Sequence, residues 1–156
     1  MPVAVRRTLL ATASAVALLA LAGAGNRLEA QDEVMTSVSN SHMESVLRGM
    51  DVEFTTRNET SWRLKLEGAT VVLFMGKNNE DAQLYISFSD VTVTPKQMNE
   101  WNANHRFGRA YADEDGNPVL ESDLDFAGGV TDGTLKAWVD LFGAQIKSYI
   151  KYLSDL

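Results

Sequence analysis

The residues best suited to metal chemistry lie in one acidic segment, Asp-Glu-Asp-Gly-Asn, beginning at Asp113. Asp113, Asp115 and Asn117 have the spacing of the first three oxygen ligands in a calcium-binding loop. The rest of that loop is missing, because Pro118 stands where the loop needs glycine and Leu124 stands where it needs a bidentate glutamate. An Asp-Gly pair is also typical of a β-hairpin turn. We therefore expect a turn and no calcium site.

The other residue types that could do chemistry are isolated along the chain. His42 and His105 are the only histidines, and no third ligand follows either at a zinc-binding spacing. Asp123 and Asp125 share one face of a predicted strand and could act as an acid–base pair in a cleft. The intervening Leu124 instead favours a half-buried strand whose acidic face is solvated.

No local motif supplies a nucleophile or a cofactor site. The chain has no cysteine and no Gly-x-Ser-x-Gly sequence, which are the usual local signs of thiol and serine chemistry. Gly128 and Gly129 precede a helix start at Thr131 and could offer backbone amides to an anion, but a phosphate loop also needs a lysine. We predict no catalytic residue, no metal ligand and no cofactor.

The N-terminal segment has the pattern of a secretory signal peptide. Two arginines precede an apolar run at residues 9–21, which is shorter than the roughly 20 residues that span a bilayer. Cleavage fits after Ala24 or after Ala30, and an uncleaved N-terminal anchor is the alternative interpretation. We expect residues 1–30 to be the signal peptide of a periplasmic or secreted protein with no integral membrane span after cleavage.

The charge of the chain argues against nucleic acid as a partner. The net charge is −7, and removal of residues 1–30 takes away three arginines and one glutamate, which leaves a net charge of −9. Such a field repels phosphate backbones and anionic lipid surfaces. Protein or peptide partners therefore remain the expected class.

The elements that must position these residues follow an α+β order. Residues 31–40 are polar and predict a flexible lead-in, and residues 41–156 form a single domain. A short helix precedes three or four alternating strands, Thr94 and Pro95 begin a second helix with Gln97 completing a capping box, and a hairpin and a long amphipathic helix follow. This order, α-β-β-β(β)-α-β-β-α, predicts an antiparallel sheet with helices packed on one face.

The hairpin can be given a register from its turn. If Asp115 and Gly116 are the central residues of a two-residue turn, Tyr111 faces Leu120 and Phe107 faces Leu124. The large apolar side chains would then share the core face of the hairpin.

A charged surface is expected on the opposite face of the same strands. Glu121, Asp123 and Asp125 alternate with apolar residues, and Arg106 is expected to neutralise Asp125. We predict that Arg106, Arg109, Glu121 and Asp123 form a protein-contact surface.

Four features together resemble the bacterial YbjN-like family, described as sensory transduction regulators. They are the helix MNEWN at residues 98–102, the strand RFGRAY at residues 106–111, the turn at residues 113–116, and GGVT at residues 128–131 before the last helix. The resemblance covers residues 41–153. It implies a fold similar to type III secretion chaperones and supplies no catalytic residues. The export signal departs from a cytoplasmic regulatory or chaperone role.

These observations favour an exported, non-catalytic domain that binds a protein or peptide, with a homodimer through the sheet face or an edge strand as one form of partner. The alternative is a small-ligand-binding or enzymatic envelope domain with a pocket between the last helix and the sheet, near Trp138 and Trp101. A purely structural envelope protein is a third interpretation.

Overall fold

The computed structural model describes residues 33–156, which form three helices and a six-stranded sheet. The elements are α1 (Asn40–Gly49), β1 (Phe54–Asn58), β2 (Ser61–Leu66), β3 (Ala69–Met75), β4 (Asp81–Ser87), α2 (Pro95–Asn104), β5 (Arg109–Ala112), β6 (Pro118–Asp125) and α3 (Asp132–Ser154). The predicted α+β class and element order are confirmed. The predicted signal peptide lies outside the described residues.

The sheet is antiparallel throughout, with strand order β1-β2-β3-β4-β6-β5. Strands β1 to β4 form a meander through short turns. Helix α2 follows β4 and leads to β5, which is not adjacent to β4 in the sheet. Strand β6 returns beside β4, and the four-residue β5 becomes the outermost strand. The last hairpin is thereby joined to the meander as one continuous sheet.

The hydrophobic core lies between one face of this sheet and the helices. Alternate strand residues such as Leu64, Leu73 and Leu84 are fully buried, and α3 contributes a stripe that includes Phe142 and Ile146. Each such side chain contributes roughly 1.5–3 kcal/mol by leaving water. The inner face of the sheet is therefore fixed by packing against the helices.

Side-chain caps set the helix boundaries. Thr94 accepts from the Gln97 amide, Gln97 Oε1 lies 2.8 Å from the Thr94 nitrogen, and Pro95 occupies the first turn. Thr131 and Thr134 make the corresponding reciprocal box at the start of α3. The predicted start of α2 is thus confirmed, since these groups satisfy amides that the first turn leaves without helical partners.

Part of the segment assigned to a flexible lead-in packs on the domain. Met35 forms an antiparallel bridge with Val130, with N–O distances of 2.8 Å in both directions. Val38 is fully buried, and its amide donates to the Asn79 carbonyl at 2.9 Å. The packed domain therefore includes residues 35–39, whereas the sequence predicted that it begins at residue 41.

The predicted hairpin register is wrong by one residue. Tyr111 lies opposite Val119, and Ala110 lies opposite Leu120. The Gly116 amide donates to the Asp113 carbonyl at 3.0 Å and Gly116 has a φ of 80°, which is a type I turn followed by a left-handed residue in a three-residue loop.

The extra loop residue changes the face on which a side chain lies, because strand side chains alternate. Tyr111 consequently leaves the core face and joins Glu121 on the other side of the sheet. Phe107 precedes β5, is 64% exposed and has a φ of 70°.

Candidate interaction surface

The face of the sheet turned away from the core carries an apolar strip at its centre. Val72 and Phe74 on β3 and Tyr85 on β4 are half-buried there. The Phe74 and Tyr85 rings meet edge to face, with centroids 6.4 Å apart. We call the sheet face that contains this strip the outer face. It also carries Arg63, Lys65, Asp81, Gln83, Arg109, Tyr111, Val119, Glu121, Asp123 and Asp125.

Strand β3 has the composition of a strand that is covered on both sides. Its residues from Val71 to Met75 are all apolar, whereas a strand with one solvated face normally alternates apolar and polar residues. The inner members, Val71 and Leu73, are fully buried, while Val72 and Phe74 are only half-buried. The sequence of β3 is thus typical of a strand buried on both sides, but within residues 33–156 no element covers its outer side.

A buried carboxylate lies beside this strip. Glu121 is 4% exposed and accepts from Arg109, with Nε 2.8 Å from Oε1. The Tyr111 hydroxyl donates to the other carboxylate oxygen at 3.1 Å. Such bonds are what a carboxylate needs when it is taken out of water. The three side chains form one hydrogen-bonded cluster on strands β5 and β6.

The pKa values of the two donors follow from this arrangement. The pKa of Tyr111 is raised to about 12, chiefly because burial disfavours the phenolate and also because Glu121 accepts its proton in a hydrogen bond. The pKa of Arg109 is raised mainly by its hydrogen bond to Glu121. Both donors therefore keep their protons at neutral pH.

The acidic side of the outer face extends along β6. Asp123 is exposed and accepts from Gln83 Nε2 at 2.8 Å. Asp125 lies directly opposite Asp81 in the β4–β6 ladder, and both are exposed. Like charges directly opposite each other on a sheet destabilise the pairing. The outer face thus retains unfavourable negative charge at this end.

The basic side lies on the other half of the sheet. Arg63 and Lys65 project from β2 and are exposed. Lys65 Nζ donates to Thr70 Oγ1 at 2.7 Å, and Arg63 forms no ion pair with any residue in the range 33–156. From β2 to β6 the outer face therefore runs from basic through apolar to acidic, and Arg109 on β5 follows at the far edge.

The four residues predicted as a contact surface do not all lie together. Arg109, Glu121 and Asp123 share the outer face, as described above. Arg106 precedes β5, stacks its guanidinium 5.0 Å from the Phe107 ring centre, and offers its carbonyl to Gln145 Nε2 at 2.9 Å. The predicted Arg106–Asp125 pair is not among the ion pairs of the described residues, and the cation that pairs with β6 is Arg109, which contacts Glu121.

Apart from the outer face, a groove lies near Trp138. Phe107, Leu124, Trp138 and Leu141 line a groove of about 370 Å³ between α3 and the end of β6. Trp138 is 7% exposed and donates from Nε1 to Ser122 Oγ at 3.0 Å. The other tryptophan of the predicted pocket, Trp101, is buried elsewhere in the core and does not line this groove.

The side chains considered for metal chemistry have structural partners. His42 Nε2 lies 2.6 Å from Asp132 Oδ1, and His105 stacks on Trp101 with ring centres 3.4 Å apart. Asp113 accepts turn amides, and the Asn117 side chain in particular lowers its pKa. Across residues 33–156, no three histidine, aspartate or glutamate side chains are grouped as a metal site would require.

Comparison with protein-family models matches residues 41–155 to YbjN, whose description is "putative bacterial sensory transduction regulator". The chain belongs to the YbjN family. The match covers all three helices and all six strands except the first residue of α1. The family resemblance seen in the sequence is therefore confirmed. A search of curated proteins found no significant match.

The length and composition of the helices in the YbjN-family domain bear on whether it could span a membrane. No helix in the described part of the chain is both long and apolar enough to cross a bilayer.

Sequence reasoning placed Glu121 and Asp123 on one face but missed Phe74, Tyr85 and Tyr111 as their neighbours. The unbroken apolar run of β3 was the available signal for the first of these.

Proposed function

We propose that this YbjN-family chain is an exported, non-catalytic regulatory protein that binds a protein or peptide through its outer face. The observation that carries the proposal is the apolar strip formed by Val72, Phe74 and Tyr85, which no described element covers. Protein interfaces commonly centre on aromatic and aliphatic side chains surrounded by a polar rim. The charged side chains on either side of the strip supply such a rim.

The description of the family supports a regulatory role. The described chemistry agrees with recognition, since Glu121 and its two donors satisfy one another. Hydrogen bonds of this kind hold the side chains in one arrangement at a surface.

Partner capture with surface variants tests the proposal. We expect Val72→Lys to abolish recovery of a partner from an extract of the exported fraction, because it places a charge in the centre of the strip. Ile150→Lys is the matched control, since Ile150 is a 41% exposed apolar residue on α3. Arg106→Glu and Asp123→Lys examine the predicted contact residues. Equal partner recovery by wild type and Val72→Lys would remove the outer face from consideration, provided that both fold.

Export is part of the proposal and has its own test. The run of apolar residues at 9–21 after two arginines supports a signal peptide. We expect the protein in the periplasm or medium, with a mature N-terminus at residue 25 or residue 31 by N-terminal sequencing. A cytoplasmic chain beginning at Met1 would contradict export without affecting the outer face.

The groove near Trp138 supports a second candidate function, the binding of a small ligand. Its walls are largely apolar and its volume of about 370 Å³ is within the usual range for ligand sites. A thermal-shift screen of metabolites and ions tests this candidate, because a ligand that binds only the folded chain raises its melting temperature. Absence of any shift, together with partner capture that depends on Val72, would favour the interaction proposal.

A further inference from the structure

The charges of the outer face are arranged so that the face complements itself. Arg63 and Lys65 lie on β2, the apolar strip lies on β3 and β4, and Glu121 and Asp123 lie on β6. Strands β2 and β6 are equidistant from the line between β3 and β4. The basic and acidic strands are therefore symmetrically placed about the centre of the apolar strip.

A two-fold axis parallel to the strands would bring these features together. Two sheets that pack face to face are about 10 Å apart, with strand directions within roughly 30° of each other. If the axis passes over the line between β3 and β4, the β3 strand of one copy lies over β4 of the other, and β2 lies over β6. Val72 and Phe74 then meet Tyr85, and Arg63 meets the acidic strand.

The cross-strand registers agree with this placement. Arg63, Val72, Tyr85 and Glu121 are successive partners across the sheet, so they lie in one row. Asp123 lies in the adjacent row on the same face and is exposed. Since a two-fold axis along the strands preserves height along them, Arg63 of one copy falls opposite the buried Glu121 of the other and one row from the exposed Asp123.

We infer that the partner of the outer face is a second copy of this chain, bound face to face so that the Arg63 side chain of each copy reaches the exposed Asp123 in the adjacent row of the other. This inference rests on the proposed function of the outer face and names its partner. A closed two-fold interface requires a self-complementary surface. Charge complementarity, with an ion pair formed twice, and an apolar strip at the axis meet that requirement.

Charge reversal gives the decisive experiment, performed on the full chain by sedimentation over roughly three decades of concentration. We expect a wild-type dimer. Arg63→Glu alone and Asp123→Arg alone each place two like-charge pairs in the interface, and each should weaken dimerisation about tenfold or more. Lys136→Glu is the control, because it makes the same charge change on an exposed position of α3 and should leave the dimer intact.

Mixing the two single variants separates this interface from any other. An Arg63→Glu chain paired with an Asp123→Arg chain restores an opposite-charge pair at both positions, so the mixture should form a heterodimer although each variant alone does not. The Arg63→Glu, Asp123→Arg double variant should also recover the dimer. Circular dichroism and urea unfolding of every variant check that each chain is folded.

Two results would overturn the inference. One is a wild-type chain that stays monomeric over the whole range, and the other is a dimer that the single reversals do not weaken or that mixing does not restore. Neither result decides the proposed function, which is tested separately by whether Val72→Lys abolishes capture of a different protein. A wild-type dimer that Val72→Lys leaves intact would also overturn this inference, because the dimer contact would then lie elsewhere, and the capture experiment would still decide the proposed function.

Discussion

Arg109 donates from Nε to the Glu121 carboxylate at 2.8 Å, and the two residues are direct partners across the β5–β6 ladder. The side chains differ sharply in exposure, since that of Arg109 is 66% exposed and that of Glu121 is 5% exposed. The arginine therefore supplies charge and hydrogen bonds at the surface to a carboxylate that is nearly out of water. This asymmetry determines which of the two residues the fold can lose more easily.

Removal of Arg109 should destabilise the protein more than neutralisation of Glu121. Arg109→Ala leaves a buried carboxylate with fewer donors, and we expect a loss of about 1–2 kcal/mol. Glu121→Gln keeps the shape and an acceptor and removes the charge, so its cost should be smaller. Urea unfolding measures both values, and a larger loss for Glu121→Gln would show that the ion pair itself governs the stability.

Stability should decline at alkaline pH through Tyr111. The folded-state pKa of Tyr111 is raised to about 12, above the unfolded value of 10.0, so the phenol loses its proton more readily in the unfolded chain. The contribution is fully present below pH about 10 and is lost as the pH rises toward about 12. Tyr111→Phe should flatten this part of the curve of unfolding free energy against pH. An unchanged slope would show that other groups cause the decline.

The hairpin loop should depend on glycine at position 116. Gly116 has a φ of 80°, and a Cβ there would lie 2.8 Å from Thr92 Cγ2. Gly116→Ala should therefore destabilise the protein by about 1 kcal/mol or more. Gly49→Ala is the matched control, because it lies in α1 with open space around it and should stabilise by about 0.5–1 kcal/mol. Equal effects of the two changes would contradict the three-residue loop.

The cap of α2 should contribute measurably to stability. The Thr94 side chain accepts from the Gln97 amide, and the Thr94 amide donates to the Gln97 side chain. Thr94→Ala should therefore lower the free energy of unfolding by about 1 kcal/mol. Lys96→Ala in the same turn is a suitable control, since Lys96 is exposed and its pair with Glu100 is long at 3.9 Å. A loss at Lys96 as large as that at Thr94 would count against the capping box.

The sequence was most informative where local chemistry decides the structure. Thr94, Pro95 and Gln97 predicted the start of α2 because the capping interactions involve residues that are near each other in sequence. The Asp-Gly pair in the hairpin was ambiguous, because it occurs in two-residue and three-residue loops that differ by one residue in register. The lateral order of the strands, with β6 between β4 and β5, depends on long-range packing that no short motif encodes.

The same difference between local patterns and long-range packing explains how much of the outer face could be predicted. Strand alternation was sufficient to place Glu121 and Asp123 together. Their aromatic neighbours were missed because Tyr85 reaches Glu121 through long-range pairing of β4 with β6, and Tyr111 reaches it only in the observed register. The surface therefore combines β4 with the β5–β6 hairpin, which follows it only after α2, and periodicity within a single strand could not predict that combination.

Site-specific photocrosslinking tests the central claim, that the outer face is an interaction surface, most directly. A photoreactive amino acid is placed at Val72 on the outer face or, as the control, at Lys136 on the exposed side of α3, in cells that produce the full chain. We predict crosslinked adducts from position 72 and few from position 136, with an adduct of twice the chain mass if the partner is a second copy. Absence of adducts at position 72, or equal yields at both positions, would contradict the claim.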